Sequence, residues 1–373
     1  MDFGFSDDQE MLRGSIHDYL RQEAPPSYAR AMTDDAMGTT EKVWRGVSAL
    51  GWLGLNIPER FGGSELGLLD LVILMEETGS VVFPGPLMST AGLGTQAILA
   101  AATEPQKRTL LPAIAEGRSR VTLAVAEESG VWAEDTLSTQ VTREGSGFRV
   151  SGTKLFVPDA RSADLILVAA LLDGGPALLA LPRDAEGLTV TPMSTMDRTR
   201  KLDVVELGGV QVGENDLLGG APLRKGVLDR LLDVARVLVA AESCGAADAT
   251  IKLSVDYVQI RKQFDRAIAT FQAIQHKLAD MKVALENSRS LVYYAAWALE
   301  TGAEDARLAA AMAKAYSSDA CTKIAGDAIQ VHGGIGFTWE HDLQLYFKRI
   351  KSNELTYGDG SANRERIADL LSL

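Results

Sequence analysis

Residues 261–281 read Arg-Lys-Gln-Phe-Asp-Arg-Ala-Ile-Ala-Thr-Phe-Gln-Ala-Ile-Gln-His-Lys-Leu-Ala-Asp-Met, a charged turn followed by an amphipathic run. Apolar side chains in and just after this stretch recur every three or four residues, namely Ile274, Leu278, Met281 and Leu285. This spacing is that of one face of an α-helix, so the pattern predicts a helix over 271–301. Thr270 is its expected N-cap and Gly302 its expected C-cap.

Three further helices are predicted around this one. A second apolar stripe covers 304–331 and stops at Gly333-Gly334, a long helix precedes Arg261, and a fourth helix begins near Trp339. Long amphipathic helices joined by short turns pack into bundles. Residues 223–373 are therefore predicted to form a C-terminal four-helix bundle.

The chain before residue 223 changes pattern once. Residues 1–118 have helical periodicity, with Ser6 as the first N-cap and predicted helices through residue 22, over 40–50, 68–77 and 88–101, and from Pro105. Residues 119–222 contain short apolar or alternating runs between glycine-rich turns, at 121–125, 137–141, 148–150, 165–168 and 178–181. These runs indicate a small antiparallel β domain. The predicted class is α+β, in three domains that end at 118, 222 and 373.

Composition excludes several classes of partner. The net charge is −13, which disfavours nucleic acid and anionic membrane surfaces as ligands. We find no signal peptide and no run near the about 20 apolar residues that a membrane span needs. The two cysteines, Cys244 and Cys321, lack metal-ligand spacing, so no metal site is expected. Both are predicted to be buried free thiols of a cytoplasmic protein.

Residues 261–281, together with Gln-Val-His-Gly-Gly-Ile-Gly-Phe at 330–337, resemble the signature segments of the acyl-CoA dehydrogenases. The resemblance extends over nearly the whole chain, and the predicted helix–strand–helix order matches that family. It implies FAD as cofactor and an acyl-CoA thioester as substrate. It also implies an electron-transfer flavoprotein-like acceptor and assembly into a homo- or heterotetramer with a related subunit.

The resemblance implies a set of FAD contacts in the C-terminal segment. The arginine that matches Arg261 meets the FAD pyrophosphate of a neighbouring subunit in the family, and arginine can clamp phosphate oxygens with two parallel bonds. Taken alone, Arg261 is more simply explained as a solvated arginine at a helix C-terminus. Because the resemblance to the family extends over nearly the whole chain, we favour the phosphate contact instead. The family usually has glycine where this chain has Asp265. The other implied contacts here are Phe264, Gln272, Gln330, Val331, His332, Gly333 and Gly334.

The flavin cradle departs further from the family. Relatives have a Thr-Glu-Pro-Gly-x-Gly-Ser-like loop and a Trp-Ile-Thr-like strand, where this chain has Ala-Glu-Glu-Ser-Gly-Val-Trp at 126–132 and Phe-Val-Pro at 156–158. The implied flavin contacts, Ala126, Phe156 and Val157, would act through backbone groups. Pro158 has no N–H to offer.

Asp233 and Arg236 match an Asp-x-x-Arg element that contacts the acyl-CoA in relatives. Residues three apart share a helix face, so an intrahelical ion pair at the surface is the simpler alternative.

The catalytic base is the main departure. The family's glutamate stands in a Tyr-Glu-Gly-Thr-like turn, and this chain has Tyr-Gly-Asp-Gly-Ser at 357–361. Some relatives place the base just before the arginine that matches Arg236, and that position is Ala235 here. Asp359 is the first candidate base, although it is about 1.5 Å shorter than glutamate. Glu242 is the second, roughly 10 Å farther along the same helix.

Three functions follow from the resemblance. The first is FAD-dependent α,β-dehydrogenation of an acyl-CoA thioester, including bulky or steroid-derived acyl chains, with Asp359 or Glu242 as base. The second is a non-catalytic subunit of a heteromeric acyl-CoA dehydrogenase that completes a partner's FAD site. The third is flavin-dependent oxygenation on the same fold.

Overall fold

The computed structural model describes residues 4–373, in which helices precede and follow a block of strands. The N-terminal helices are α1 (Asp7–Glu23), α2 (Pro26–Ala31), α3 (Glu41–Ala49), α4 (Leu68–Ser80), α5 (Thr95–Ala101) and α6 (Glu104–Ala115). Ser6 caps α1 as predicted, and it shares a reciprocal capping box with Gln9.

The stretch predicted as one helix over 88–101 is two structures. Met88–Gly94 is a π-helix, and α5 begins only at Thr95. The Thr95 hydroxyl donates to the carbonyl oxygen of Thr90 at 2.9 Å, a bond that spans five residues. Side-chain bonds of this kind do not alter the apolar spacing, so the sequence pattern cannot reveal the wider turn.

The middle block is a seven-stranded sheet. Its strands are β1 (Val121–Ala124), β2 (Gln140–Glu144), β3 (Gly147–Pro158), β4 (Leu165–Leu172), β5 (Gly175–Pro182), β6 (Leu188–Pro192) and β7 (Leu202–Gly213). The order is β1-β4-β2-β3-β7-β6, with β5 on β4. Four pairings are antiparallel as predicted, but β1–β4 and β2–β4 are parallel. Alternation of apolar residues reports which face is buried and does not report strand direction.

The C-terminal helices are α7 (Val227–Ile260), α8 (Gln272–Thr301), α9 (Ala306–His332), α10 (Leu343–Leu355) and α11 (Gly360–Leu370). A short hairpin, β8 (Lys262–Gln263) and β9 (Arg266–Ala267), joins α7 to α8. The predicted four-helix bundle is confirmed as α7–α10, with α11 in addition. Gly302 ends α8 at a φ of 66°, as predicted. Thr270 is not the N-cap: Phe271 holds that position, and the Thr270 hydroxyl instead bonds the carbonyl of Ala267.

The described residues form two compact units. The first, which we call the helical unit, contains the chain up to Arg30, Leu68–Phe83 and Arg236–Leu373. The second, the sheet unit, contains Ala31–Gly67 and Pro84–Ala235. The division into three domains at 118 and 222 stays a prediction. Within residues 4–373, every helix is too short or too polar to cross a lipid bilayer.

Two glycines allow α4 and α7 to cross closely in the helical unit. A Cβ on Gly79 would lie 2.0 Å from the carbonyl oxygen of Glu242, and one on Gly245 would lie 1.7 Å from that of Glu76. Neither position can accept a side chain without separating the helices. This crossing fixes α7, whose C-terminal end leads into the first part of the candidate site.

Candidate functional site

Arg261 borders an open pocket at the end of α7. The pocket has a volume of about 510 Å³ and is lined by Tyr257, Ile260, Arg261, His332, Gly334 and Ile335. The Arg261 side chain is exposed, and none of the other lining side chains is acidic. The pocket therefore combines a cation with apolar walls. Tyr257, Ile260 and Ile335 were not predicted, although Tyr257 lies one helical turn before Arg261.

The hairpin after Arg261 explains the usual glycine at position 265. Phe264 and Asp265 form its two-residue loop, and both have positive φ values, 52° and 62°. This is the backbone of a type I′ turn, which favours glycine or asparagine. Asp265 tolerates the left-handed conformation better than most residues do. Phe264 is 87% exposed, as a contact with a neighbouring molecule would require.

His332 forms a wall of the pocket. Its ring is buried and stacks on Tyr257 with ring centroids 4.4 Å apart. Nδ1 donates to the carbonyl of Ala328 at 2.8 Å, and burial lowers the pKa of His332, so the ring is neutral near pH 7. Val331 is also buried, in the last turn of α9.

The remaining predicted contacts of this group lie at the surface. Gly333 ends α9 with a φ of 64°, which leaves the backbone of Gly333 and Gly334 exposed. Gln330 and Gln272 also have exposed side chains. Arginine and amide side chains are donors that suit phosphate oxygens, whereas the N–H of Gly333 is already bonded to the carbonyls of Gln330 and Ile329.

The predicted flavin contacts lie in the sheet unit. Ala126 and Val157 are buried, and the carbonyl of Ala126 already accepts the N–H of Leu155. Phe156 has a φ of 54° and sits where the β3–β7 register is irregular between Lys154 and Val157. Trp132, which was not predicted, packs against Phe156 with ring centroids 5.9 Å apart. The sheet unit thus offers an aromatic surface beside a bulged strand, which suits a flat ring system.

A buried ion pair lies behind this surface and was also not predicted. Lys154 Nζ lies 2.5 Å from Glu127 Oε1, and both side chains are buried. Burial raises the pKa of Glu127, but the bonds from Lys154 and Ser138 outweigh burial and lower the pKa to about 2. Burial lowers the pKa of Lys154 to about 8. Both groups are charged at pH 7.

Asp233 and Arg236 are both buried on α7, so a surface ion pair is excluded. Arg236 Nε donates to the carbonyl of Tyr357 at 3.3 Å. Arg236 therefore contacts the turn where the family carries its glutamate. A contact of Asp233 and Arg236 with acyl-CoA stays a prediction.

That turn is held tightly in the helical unit. Tyr357 and Gly358 have φ values of 61° and 90°, and the side-chain amide of Asn363 donates to the carbonyls of Gly358 and Asp359. Asp359 is the N-cap of α11, where its Oδ1 accepts a bond from the N–H of Ala362 at 2.8 Å.

Lys314 holds the C-terminal end of α10, which lies just before this turn in the chain. Its Nζ is buried and donates to Ser318 Oγ and to the carbonyls of Asn353 and Glu354 at 2.8–3.0 Å. Burial lowers the pKa of Lys314 to about 7. Lys314 was not predicted, because an isolated lysine in an alanine-rich helix carries no signal of burial.

Glu242 is in the core of the helical unit. Its oxygens lie 2.7 Å from Arg349 Nη1 and 2.7 Å from Asn353 Nδ2. Ala235, the other standard position for a base, is buried and has no proton acceptor. Of these positions, only Asp359 lies outside the buried core.

Each unit, taken by itself, has residues that fit one part of FAD. The donors around Arg261 suit the phosphates, and the surface of Trp132 and Phe156 suits the flavin ring. The fit is weakest at Ala126 and Pro158, which lack the hydroxyls of the family.

Comparison with known proteins gives a consistent result. Residues 6–118 match the acyl-CoA dehydrogenase N-terminal domain and residues 226–371 the C-terminal domain. The acyl-CoA dehydrogenase IpdE2 of Mycolicibacterium smegmatis is 31% identical over 95% of each chain. A Tcur3481-Tcur3483 steroid ACAD variant is 32% identical over 98% of each chain, with a TM-score of 0.88.

A chain of the ChsE4-ChsE5 complex from Mycobacterium tuberculosis has a TM-score of 0.92 at 25% identity, over 100% of this chain and 99% of that one. The two domain matches and the near-complete coverage of these relatives agree with the fold and with the donors described above. The chain therefore belongs to the acyl-CoA dehydrogenase family of flavoprotein oxidoreductases, and FAD is its cofactor.

Proposed function

We propose that this chain takes part in the α,β-dehydrogenation of an acyl-CoA thioester with a bulky or steroid-derived acyl group. The observation that carries the proposal is the open pocket at Arg261, because an exposed guanidinium beside glycine backbone can hold a dinucleotide phosphate. Two structures that the chain resembles support the rest: one is a steroid ACAD, and the other is a complex of two named components.

The reaction needs a proton acceptor that this chain barely provides. Bound FAD would supply the oxidant for this reaction, as the acceptor of the hydride from the β-carbon of the thioester. A carboxylate within hydrogen-bond reach must remove the α-proton. Ala235 cannot do so, and the carboxylate of Glu242 is held by Arg349 and Asn353.

The turn at 357–361 is poorly suited to a base. Gly358 has a φ of 90°, and a Cβ there would lie 3.1 Å from the Asn363 amide, so a glutamate at this position would be strained. Asp359 commits one oxygen to capping α11. An error of about 1 Å in the position of a base can cost ~10²-fold in rate. These observations favour a base supplied by a related partner chain, whose FAD site this chain completes.

The alternative is that Asp359 is itself the base, through its second carboxylate oxygen. Its half-exposed position supports this alternative, since the other candidates are buried. Flavin-dependent oxygenation has no specific observation behind it in residues 4–373.

Expression of the chain alone and together with a related acyl-CoA dehydrogenase chain tests these roles. We expect the chain alone to hold little flavin, and the co-expressed complex to be flavin-loaded and to lose its visible absorption on addition of an acyl-CoA. A lone chain that binds flavin and reduces it would establish the alternative. If neither preparation responds to any acyl-CoA, dehydrogenation itself is wrong.

Substitution of Asp359 identifies the base. In the partner-base case, Asp359→Asn should change the rate of flavin reduction by no more than a few-fold, as should the control Asp369→Asn on the exposed face of α11. If Asp359 is the base, Asp359→Asn should nearly abolish reduction and leave thioester binding intact, because asparagine keeps the shape and loses the proton acceptor.

Acyl-CoA thioesters of short-chain, long-chain and steroid side-chain acids should be compared on the same complex, with the largest rate expected for the steroid class. We further propose an electron-transfer flavoprotein-like acceptor and a cytoplasmic location. The location agrees with the two buried free cysteines, Cys244 and Cys321.

A further inference from the structure

Glu127 receives an unusually complete set of donors for a carboxylate in a loop. Its oxygens accept bonds from the backbone N–H of Ser138 at 2.6 Å, from that of Thr139 at 3.0 Å, from the Ser138 hydroxyl and from Lys154 Nζ. Lys154 Nζ also donates to the carbonyl of Val125 at 3.2 Å. The lysine is fully buried and Glu127 nearly so.

These contacts close the loop 127–138 at its base. Glu127 stands at one end of the loop and Ser138 at the other, and Lys154 ties the closed end to β3. Beside them, the backbone N–H of Leu155 donates to the carbonyl of Ala126 at 2.8 Å. The segments 125–127 and 154–157 are thus joined by backbone and side-chain bonds along the same edge.

The hydrogen bonds and the ion pair around Glu127 and Lys154, which we call the clamp, determine where two aromatic side chains lie. Trp132 is in the closed loop, and Phe156 is two residues beyond Lys154 in the bulged part of β3. Their rings are in contact, at 5.9 Å between centroids and 43° between planes. An unclamped loop of this length would sample many conformations, and ordering it on ligand binding would weaken the complex.

Stability alone is a poor explanation for this ion pair. A buried pair loses hydration, and apolar residues of similar volume are often as stable. The hydrogen bonds of the pair are directional, whereas apolar contacts are not. Four bonds therefore fix the Glu127 carboxylate in one orientation. Exposed pairs of the same unit, such as Arg143 with Asp173, cannot give comparable rigidity.

We propose that Glu127 and Lys154 are positioning residues, which hold Trp132 and Phe156 as a preformed surface for the flavin ring of FAD. The proposal requires the flavin ring to lie on this chain's own sheet unit, whichever chain supplies the catalytic base, and a complex whose flavin lies only on the partner chain would overturn it. It adds to the predicted contacts a pair of side chains that never touch the flavin themselves.

The test uses the FAD-loaded protein, in whichever assembly holds the cofactor, with three variants. Lys154→Met removes the clamp, Ser138→Ala removes one of its bonds while the ion pair stays, and Lys201→Met is the control. Lys201 is a buried lysine of the same unit that donates to the carbonyls of Met32, Thr33 and Arg198, outside the clamp.

For Lys154→Met we expect FAD retention to fall about ten-fold, since this corresponds to the loss of one good positioning interaction. The visible absorption and fluorescence of the bound flavin should change in shape. Amide exchange over 126–139 should become faster, on the order of ten-fold. Ser138→Ala should show the same changes at a few-fold, and Lys201→Met should leave flavin spectrum and loop exchange as in the parent.

An unaltered flavin spectrum and unaltered loop exchange in Ser138→Ala and Lys154→Met would overturn the proposal. If Lys154→Met does not fold, Ser138→Ala alone tests the proposal, because it retains the ion pair and removes only one bond of the clamp. A parent protein with normal flavin binding that never oxidises an acyl-CoA would contradict the proposed function and leave this inference standing.

Discussion

Glu242 shows how one carboxylate can hold two helices of the helical unit together. It lies on α7 and binds Arg349 and Asn353 of α10, and Arg349 also donates to the carbonyl of Phe83. We predict that Glu242→Gln destabilises the protein by about 3–5 kcal/mol, because the Arg349 charge is left buried without its counter-charge. Urea unfolding measures this, with the exposed Glu365→Gln as the control. A loss below 1 kcal/mol would mean that Arg349 finds another partner.

Arg261 is the residue on which the cofactor assignment depends most. We predict that Arg261→Ala weakens FAD binding by about 1.5–3 kcal/mol, roughly 10- to 100-fold, because a charge-assisted bond to phosphate is lost. Titration of the flavin-free assembly with FAD measures the affinity. Lys262→Ala removes a neighbouring exposed charge and should change the affinity much less. Equal effects of the two substitutions would indicate a general electrostatic contribution and no specific contact.

At the residue scale, the sequence predicts which positions meet a ligand, and these contacts stay predictions. Arg261, Gln272 and Gln330 are exposed, as cofactor contacts should be. His332 and Arg236 were assigned to ligands on position alone, yet the first stacks on Tyr257 and the second bonds the carbonyl of Tyr357. Side-chain direction depends on packing partners distant in sequence, which a single sequence does not reveal.

At the scale of elements, the β8–β9 hairpin carries strain at both residues of its loop, Phe264 and Asp265. Asp265 adopts a φ of 62°, where a residue with a Cβ is disfavoured. We predict that Asp265→Gly stabilises the protein by about 0.5–1 kcal/mol and that Asp265→Ala destabilises it, since alanine tolerates the left-handed conformation less well than aspartate or glycine does. Thermal unfolding and amide exchange over 262–267 rank the stabilities of the parent and the two variants. A glycine variant less stable than the parent would mean that the Asp265 side chain has an attractive role.

At the crossing of α4 and α7, a glycine is required, and replacing it is expected to destabilise the protein. Gly245→Ala places a Cβ within 1.7 Å of the Glu76 carbonyl, so the helices must move apart, at a cost of about 3 kcal/mol or more. Gly326→Ala in α9 meets no atom within 4 Å and should be neutral or stabilise by up to about 1 kcal/mol. Denaturant unfolding of both variants separates close packing from helix propensity. Similar stabilities for the two would contradict the close crossing.

The elements themselves were largely predictable, and the exceptions have physical causes. The long helices were found because their apolar stripes are regular over many turns. Strands β6 and β7 were not predicted, although β7 runs from Leu202 to Gly213. Its polar residues and its Gly208-Gly209 pair interrupt the alternation, and pairing with β3 overrides this local weakness.

At the scale of the whole molecule, the helical unit exposes several large apolar side chains. Phe264 and Phe337 are 87% and 81% exposed, and Ile260 is 77% exposed. Exposed aromatic and aliphatic side chains beside a cationic pocket are typical of an interface rather than of a free surface. Ile260 lines the pocket at Arg261, and Phe264 and Phe337 follow the lining residues Arg261 and Ile335 by three and two positions in the chain. Assembly and cofactor binding are therefore expected to be coupled.

We predict that the functional form is a tetramer, either of this chain or with a related chain. Light scattering of the flavin-loaded protein should give the mass of four subunits. Phe264→Ser should weaken assembly and FAD retention together, because Phe264 is the most exposed aromatic side chain among residues 4–373 and lies three residues after Arg261. Met11→Ser on α1, an exposed apolar residue of the same unit distant in sequence from the pocket, is the matched control. A stable monomer with bound flavin would refute the tetramer, because all the FAD contacts would then lie within one chain.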